Sequence, residues 1–290
     1  MKRQIETESG GAIRTPKPLK KEERQFGAAM KEMIDLMARI FRNQALFELN
    51  KGTVEKFADS APSLTEAEIE RYGFTDAQIG NYARVFLGLA RKATKKLRER
   101  FSFARLDEIS KRSLEPVNER SRQSVYKQVA EATGLDYTRL VQEEGLKSTT
   151  NALMLETAVW AEKLRDDTLE FFVANSLRAM AEGQSLEQVL SQFDGMVEQR
   201  KRHAEMVART QIATFNSLVT KTRAQNLGIK KAVWITSSDE RVRKCHQVRD
   251  GKEFDLAKGL YSSCDGKWLL PGVDYQCRCT SRLLIPKRKE

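Results

Sequence analysis

The stretch Asn226-Leu-Gly-Ile-Lys-Lys-Ala-Val-Trp-Ile-Thr236 decides the fold, because helical sequence gives way to strand sequence there. Before Gly228 the chain shows almost no strand signal, whereas Ala232–Thr236 is rich in β-branched and aromatic residues, which favour strands. Gly228 is a natural helix cap, since glycine adopts the left-handed conformation that ends many helices. The sequence therefore predicts a mainly α protein, with an extended helical N-terminal region followed by a small α+β C-terminal module.

Helical periodicity dominates the region before this switch. Large apolar residues recur at intervals of three and four, which is typical of amphipathic helices. Helices are predicted over about 22–49, 76–101, 105–133, 150–182 and 195–226. Trp160 and Phe172 are expected in the core, and Ser185-Leu-Glu-Gln188 has the spacing of a capping box.

The chain is predicted to have three parts. Residues 1–20 combine glycines and prolines with lysines and arginines, and they bury too little apolar surface to offset the entropy of ordering. They are expected to form a flexible basic arm. Residues 21–194 are expected to form a helical domain, and residues 195–290 a C-terminal domain that consists of a long helix and the small α+β module.

The formal net charge of +11 favours polyanionic partners, either nucleic acid or an acidic protein surface. The densest basic stretch lies in the second half of one predicted helix and comprises Lys92, Lys95, Lys96, Arg98 and Arg100. This stretch is either a solvated helix face or a contact to DNA phosphates or to an acidic partner. No apolar run is long enough to span a membrane, so no membrane partner is expected.

An ordered series of residues accompanies the switch to strand sequence. It comprises Arg209, Thr210, Gln211, Trp234, Thr236, Asp239, Glu240, Arg241, Asp250, Gly251, Lys252, Phe254, Pro271 and Arg278. The order resembles the C-terminal domain of the phage Mu protein F-like head-morphogenesis family. In that family an R-T-E or R-T-Q helix precedes a W-x-T…D-E-R loop, a D-G-K turn and a final P-P…C-R-C segment. The resemblance covers about residues 209–286.

The resemblance implies a minor head protein of a tailed phage that acts in capsid and procapsid morphogenesis. Such a protein would dock to the portal, or to scaffold or major capsid protein, inside the head and next to packaged double-stranded DNA. It would be found in the virion, and in the host cytoplasm during assembly.

Family members often carry C-x-x-C after the D-E-R motif and a histidine shortly before C-R-C, which is a metal-ligand pattern. This chain departs from both features. Arg243 and His246 stand at the two cysteine positions, Gly272 replaces the second proline, and Asp274 replaces the histidine.

All four cysteines lie close together in the sequence, within the C-terminal module. With one histidine they form a candidate zinc set of Cys245, His246, Cys264, Cys277 and Cys279, because thiolate and imidazole are the preferred donors of tetrahedral zinc. Neighbouring residues on extended backbone point to opposite sides, so only one of Cys245 and His246 is expected to ligate. Three states remain open: a structural zinc site, buried reduced thiols, and a disulfide of Cys264 formed after lysis.

The other motif residues are expected to have structural roles. Asp239-Glu-Arg241 could bond Arg209 or Lys252 and so tie the long helix to the module. Asp250 and Gly251 fit a tight β-hairpin turn, since Gly251 tolerates positive φ. Trp234 is expected to anchor the core of the module.

An enzyme is not expected. The chain has two histidines and lacks a nucleophile elbow, a Walker loop and an H-E-x-x-H motif. The alternative to a head protein is a non-specific DNA-binding protein with a zinc-knuckle-like C-terminal module. No helix-turn-helix or C2H2 spacing accompanies the basic stretches, so sequence-specific recognition is not expected.

Overall fold

The computed structural model describes residues 9–16, 20–49, 51–61, 63–75, 78–134 and 144–286. The helices are α1 (Lys20–Phe41), α2 (Lys51–Phe57), α3 (Glu66–Tyr72), α4 (Asn81–Arg100), α5 (Phe103–Thr133), α6 (Glu144–Ala181), α7 (Leu186–Asn226) and α8 (Lys244–Gln247). A π-helical turn at Arg42–Leu46 follows α1, and a 3-10 turn at Ala58–Ser60 follows α2. The strands are β1 (Ser9–Arg14), β2 (Lys231–Ile235), β3 (Glu253–Asp255), β4 (Leu260–Ser262), β5 (Lys267–Leu269) and β6 (Thr280–Pro286). The predicted fold class, mainly α with a small α+β module, is confirmed.

Four of the strands form one antiparallel sheet in the order β1-β6-β2-β3. Strand β2 lies inside the sheet, where Ala232 is opposite Leu283 of β6 on one side and Phe254 of β3 on the other. Strands β4 and β5 form a separate two-stranded hairpin. The sequence from Ala232 onward is strand-rich because this part of the chain supplies most of the sheet.

The first strand of the sheet comes from the N-terminal end of the chain. Ser9–Arg14 pairs antiparallel with β6, with Ile13 opposite Leu283, and the Ile13 side chain is buried. The prediction of a flexible basic arm is therefore wrong for residues 9–14. Local composition gave no indication of this pairing, because the partner strand lies at the other end of the sequence. Residues 1–8 and 17–19 of the predicted arm lie outside the described residues.

The chain divides into two compact units that are not consecutive in sequence. The sheet unit comprises residues 1–26, 109–157 and 206–290, and the helical unit comprises residues 27–108 and 158–205. Helices α1, α5, α6 and α7 each contribute residues to both units. The boundary expected between residues 194 and 195 therefore falls inside α7.

Helix α7 begins at Leu186, earlier than the predicted start near residue 195. The predicted capping box precedes it: the Ser185 amide donates to Gln188 Oε1 at 2.7 Å, and the Gln188 amide donates to Ser185 Oγ at 3.3 Å. These bonds satisfy amides that the first turn of a helix leaves without partners.

Aromatic rings fill the core of the helical unit. The ring of Phe172 lies 4.8 Å from that of Phe193 and 5.7 Å from that of Phe41, and all three side chains are buried. Phe86 completes the cluster at 6.2 Å from Phe41. Trp160, which was predicted to lie in the core, is instead 40% exposed.

The core of the sheet unit packs the sheet against helices α5 and α7. It consists mainly of buried side chains from Ile13, Val125, Val129, Ala224, Trp234, Phe254, Leu283 and Ile285. Both Cys277 and Cys279 belong to the same core.

Among the helices of the described residues, none combines the length and the apolar character that a membrane span requires.

Candidate functional site

One face of α7 holds the segment that leads to the C-R-C motif. Thr210 Oγ1 accepts a hydrogen bond from the Gln276 amide at 3.2 Å, and Ser217 Oγ donates to the carbonyl of Pro271 at 2.6 Å. Thr210 and Ser217 are seven residues apart and therefore lie on the same face of the helix. Gln211, the next motif residue, is buried. The R-T-Q helix thus fixes the position of the P-x-x-x-x-x-C-R-C segment.

Trp234 is a core residue of the sheet unit. Its side chain is fully buried, and its ring meets those of His246 and Phe254 edge-to-face at 5.7 and 6.2 Å. The guanidinium of Arg249 lies 5.0 Å from the indole, within cation–π range. Trp234 therefore has no surface free for a ligand.

The D-G-K residues close the connection between β2 and β3. Gly251 has a φ of 74°, and its amide donates to the Trp234 carbonyl at 2.9 Å. Asp250 Oδ1 accepts from the Thr236 amide at 2.8 Å, whereas Lys252 is exposed. The connection contains α8, so Gly251 lies at its end and not at the tip of a tight hairpin as predicted.

The aspartate of the D-E-R motif pairs with the arginine of the C-R-C motif. Both carboxylate oxygens of Asp239 accept hydrogen bonds from the Arg278 guanidinium, one of them at 2.6 Å, and these bonds lower the pKa of Asp239. Asp239 Oδ1 also accepts from the Arg241 amide at 3.0 Å.

The predicted partners of the D-E-R motif, Arg209 and Lys252, were wrong. Arg209 instead lies 3.8 Å from Glu23 of α1. The pairing with Arg278 arises because Ile235 at the end of β2 is opposite Thr280 at the start of β6, which brings the loop after β2 next to the residues just before β6. Glu240 is exposed.

Three members of the candidate zinc set come together in the sheet unit. His246 Nδ1 lies 3.5 Å from the sulfur of Cys277 and 3.5 Å from that of Cys279, and all three side chains are buried. The Gly272 amide donates to Cys277 Sγ at 3.4 Å. The other two members, Cys245 and Cys264, form a disulfide with each other. His246 and Cys245 therefore face different partners although they are adjacent in α8.

The second ring nitrogen of His246 faces a carboxylate. His246 Nε2 lies 3.3 Å from Asp274 Oδ2, close but outside hydrogen-bond alignment, and Arg243 Nη2 lies 2.7 Å from the same oxygen. Arg243, His246 and Asp274 are the three residues that stand where the family pattern has two cysteines and a histidine. The fold brings all three next to the C-R-C cysteines.

The two cysteines of the cluster have opposite pKa shifts. A hydrogen bond from the Cys279 thiol is the main cause that lowers the pKa of Cys277, and the same bond raises the pKa of Cys279. Of the two thiols, Cys277 is therefore the one that ionises more readily.

A cavity of about 190 Å³ lies beside the cluster, lined by Cys277, Cys279 and residues of α1 and α7. Glu23 is part of its wall, and burial raises the pKa of this carboxyl although Arg209 acts against the shift. Asn216 is also part of the wall, and its Oδ1 has no hydrogen-bond partner among the described residues. The cavity can hold water or a small polar group.

The basic stretch of α4 lies on the solvent face of that helix. Ala90, Ala93 and Leu97 are buried on the opposite face. The exposed cations are Lys92, Lys95, Lys96, Arg98 and Arg100. Arg98 forms an ion pair with Asp166 at 3.0 Å. Within the described ranges, no acidic side chain forms an ion pair with any of the three lysines.

The structure thus defines a helical protein whose family-type motif residues hold a small antiparallel module together. Residues 173–282 match the family described as "Phage Mu protein F like protein". The match confirms, for that stretch of the chain, the resemblance seen in the sequence.

Two relatives match over part of the chain. An uncharacterized protein of Haemophilus influenzae is 28% identical over 148 residues, which cover 51% of this chain and 32% of that protein. A protein of Enterococcus faecalis named NAD(+)--arginine ADP-ribosyltransferase EFV is 27% identical over 128 residues, which cover 41% of this chain and 26% of that protein. The matched part thus spans a third or less of either relative. No solved structure matches at a significant level.

Proposed function

We propose that the chain is a non-enzymatic minor head protein of a tailed phage that acts in capsid morphogenesis. It docks to the portal or scaffold inside the head, or to the major capsid protein, and belongs to the virion. The family match over residues 173–282 is the observation that carries this proposal.

The use made of the motif residues supports docking over catalysis. Asp239 is paired with Arg278, Asp250 accepts from a backbone amide, and Trp234 is fully buried. The two carboxylates are thus committed to internal hydrogen bonds, and the indole is enclosed by the core. The transferase activity in the name of the Enterococcus faecalis relative belongs to a protein of which only 26% is aligned.

An exposed apolar patch in the helical unit is the proposed docking point. Val159 and Trp160 are 52% and 40% exposed, and Lys163 lies 5.4 Å over the Trp160 ring. Exposed aromatic side chains beside a cation are frequent anchors of protein interfaces. A complementary apolar pocket on portal or scaffold would bury this patch.

Co-purification from disrupted procapsids tests the docking proposal. The chain is expected with the portal fraction, and Trp160→Ser should reduce its recovery there by at least about tenfold, the effect of losing one interface anchor. Phe57→Ser is the matched control, since Phe57 is an exposed aromatic of the same unit. Absence of the chain from both procapsids and virions would refute the proposal.

The α4 face supports a place next to packaged DNA, and it is also the observation behind the alternative function of a non-specific DNA-binding protein. Lys92, Lys95 and Lys96 are exposed and can each contact a phosphate. Their replacement by glutamine should reduce the slope of log affinity against log salt by about 2.7, at roughly 0.9 per phosphate.

Lys201→Gln is the control for this experiment, because Lys201 is engaged by Asp35 and Glu198. A protein that binds DNA but does not co-purify with any head component would favour the alternative. Absence of DNA binding at low salt would exclude both the alternative and the DNA contact of the head protein.

A further inference from the structure

We infer that His246, Cys277 and Cys279 form a three-donor site for Zn²⁺, ligated through His246 Nδ1 and the two sulfurs. The inference rests on the geometry of the sheet unit and does not depend on the proposed head function. Of the five candidate zinc ligands in the sequence, three belong to this site.

The distances fit a tetrahedral ion. With Zn–S bonds of about 2.3 Å and a Zn–N bond of about 2.0 to 2.1 Å, tetrahedral geometry puts sulfur and nitrogen about 3.5 Å apart. His246 Nδ1 lies 3.5 Å from each of the two sulfurs. The three donor atoms all lie within 4.8 Å of one another, so the three side chains can share a single ion.

The surroundings of the donors also suit a metal. All three side chains are buried, so the ion would be shielded from competing water, and the Gly272 amide points at Cys277 Sγ. A backbone N–H beside a sulfur stabilises its thiolate form, which is the form that ligates. Three donors of sulfur and nitrogen favour zinc over magnesium or calcium, which prefer oxygen.

Asp274 has the place of an outer-shell partner. Metal-bound histidines almost always direct their second ring nitrogen at a carboxylate or carbonyl, which fixes the ring and its tautomer. Asp274 Oδ2 is 3.3 Å from His246 Nε2, and Arg243 holds the same carboxylate at 2.7 Å. Asp274, paired with Arg243, thus lies where it could orient a metal-bound His246, although Arg243 and Asp274 stand where the family pattern has a cysteine and a histidine.

Cys245 and Cys264 are excluded from the ligand set, because their sulfurs are bonded to each other. Three protein donors leave one tetrahedral position for water or an external group. The cavity lined in part by Cys277 and Cys279 borders these two donors.

Metal analysis of the full chain, purified under reducing conditions, tests the inference. We expect about one zinc per wild-type chain, and less than about a tenth of that in Cys277→Ser, Cys279→Ser and His246→Asn. The double variant Cys245→Ser/Cys264→Ser is the matched control and should retain the full stoichiometry. Circular dichroism identifies any variant that fails to fold.

A second measurement does not depend on ligand variants. Titration of metal-free wild-type protein with Co²⁺ should produce the visible absorption of a tetrahedral thiolate complex. Asp274→Asn should keep the stoichiometry and lower the affinity by about 10- to 100-fold, the usual effect of an outer-shell partner.

Two results would overturn the inference. One is folded, reduced wild-type chain that takes up neither zinc nor cobalt, which would identify the cluster as hydrogen-bonded thiols. The other is zinc that is lost in the Cys245→Ser/Cys264→Ser control and retained in Cys277→Ser. That result would assign the metal to Cys245 and Cys264.

Discussion

The helical unit and the sheet unit are stabilised in different ways. The helical unit buries a cluster of phenylalanine rings, Phe41, Phe172 and Phe193 among them, whose contacts have little directional demand. The sheet unit depends on directional bonds, such as the Asp239–Arg278 pair and the hydrogen bond from the Gln276 amide to Thr210. Directional bonds need particular side chains at particular positions, so they leave a readable motif, whereas an apolar core accepts many sequences.

The largest expected effect tests the helical unit. Phe172→Ala should lower the free energy of unfolding by about 3 to 5 kcal/mol, because it leaves a cavity among the rings. Phe172→Met, which nearly conserves volume, should cost less than about 1.5 kcal/mol. Urea unfolding followed by circular dichroism measures both. A large loss in the methionine variant would mean that this core is as specific as the sheet unit.

The disulfide of the sheet unit should give the second largest effect. Cys245 and Cys264 are 19 residues apart, and a loop of this size gives a bond worth about 2 to 4 kcal/mol through its constraint on the unfolded chain. Oxidised protein should lose that amount on addition of reductant, and Cys245→Ser/Cys264→Ser should not respond. Equal stability of oxidised and reduced wild type would show that the disulfide is not needed by the module.

A single hydroxyl should have a smaller effect in the same unit. Thr210→Val removes the acceptor of the Gln276 amide and should cost about 1 kcal/mol. Thr222→Val is the matched control on the same helix, since the one hydrogen bond of the Thr222 hydroxyl within the described part of the chain is to the Leu218 carbonyl of its own helix. Equal losses in the two variants would argue that the α7 face does not position the C-R-C segment.

The smallest effect is a dependence of stability on pH. Arg278 lowers the pKa of Asp239 in the folded state, so the contribution of Asp239 to stability is fully present above the ordinary aspartate pKa of about 3.9. It should be lost as pH falls below that value towards the lowered folded-state pKa. The difference in unfolding free energy between wild type and Asp239→Asn should be constant from about pH 5 to 7 and shrink below about pH 4. A difference that grows on acidification would contradict the pairing.

Much of the fold could be read from the sequence, because helices and the switch at Gly228 depend on local pattern. The members of the cysteine cluster could also be listed, since donor types are visible in sequence. Which members form the disulfide and which lie beside His246 could not be predicted. Whether His246 or Cys245 faces Cys277 depends on how α8 lies against the C-R-C segment, and this is set by the tertiary structure.

The same contrast between local sequence pattern and tertiary structure explains the other differences between the predictions and the structure. Trp160 has the periodicity of a core residue but is exposed. Whether a helix face is buried depends on which other elements pack against it. The partner of Asp239 is Arg278, not Arg209, because the sheet determines which loops meet. Sequence spacing gives candidates for such bonds, and the topology selects among them.

The pairing of β1 with β6 has a consequence for the order of folding. Thr15 bonds to Ser281 across a separation of 266 residues, so the first strand leaves the ribosome long before its partner has been made. Contacts of such separation carry a large loop-closure entropy and form slowly. Until β1 pairs with it, one edge of β6 is uncovered, and an uncovered edge strand can pair with another chain. Removal of the first 14 residues should therefore favour aggregation during refolding, even if the helices form normally.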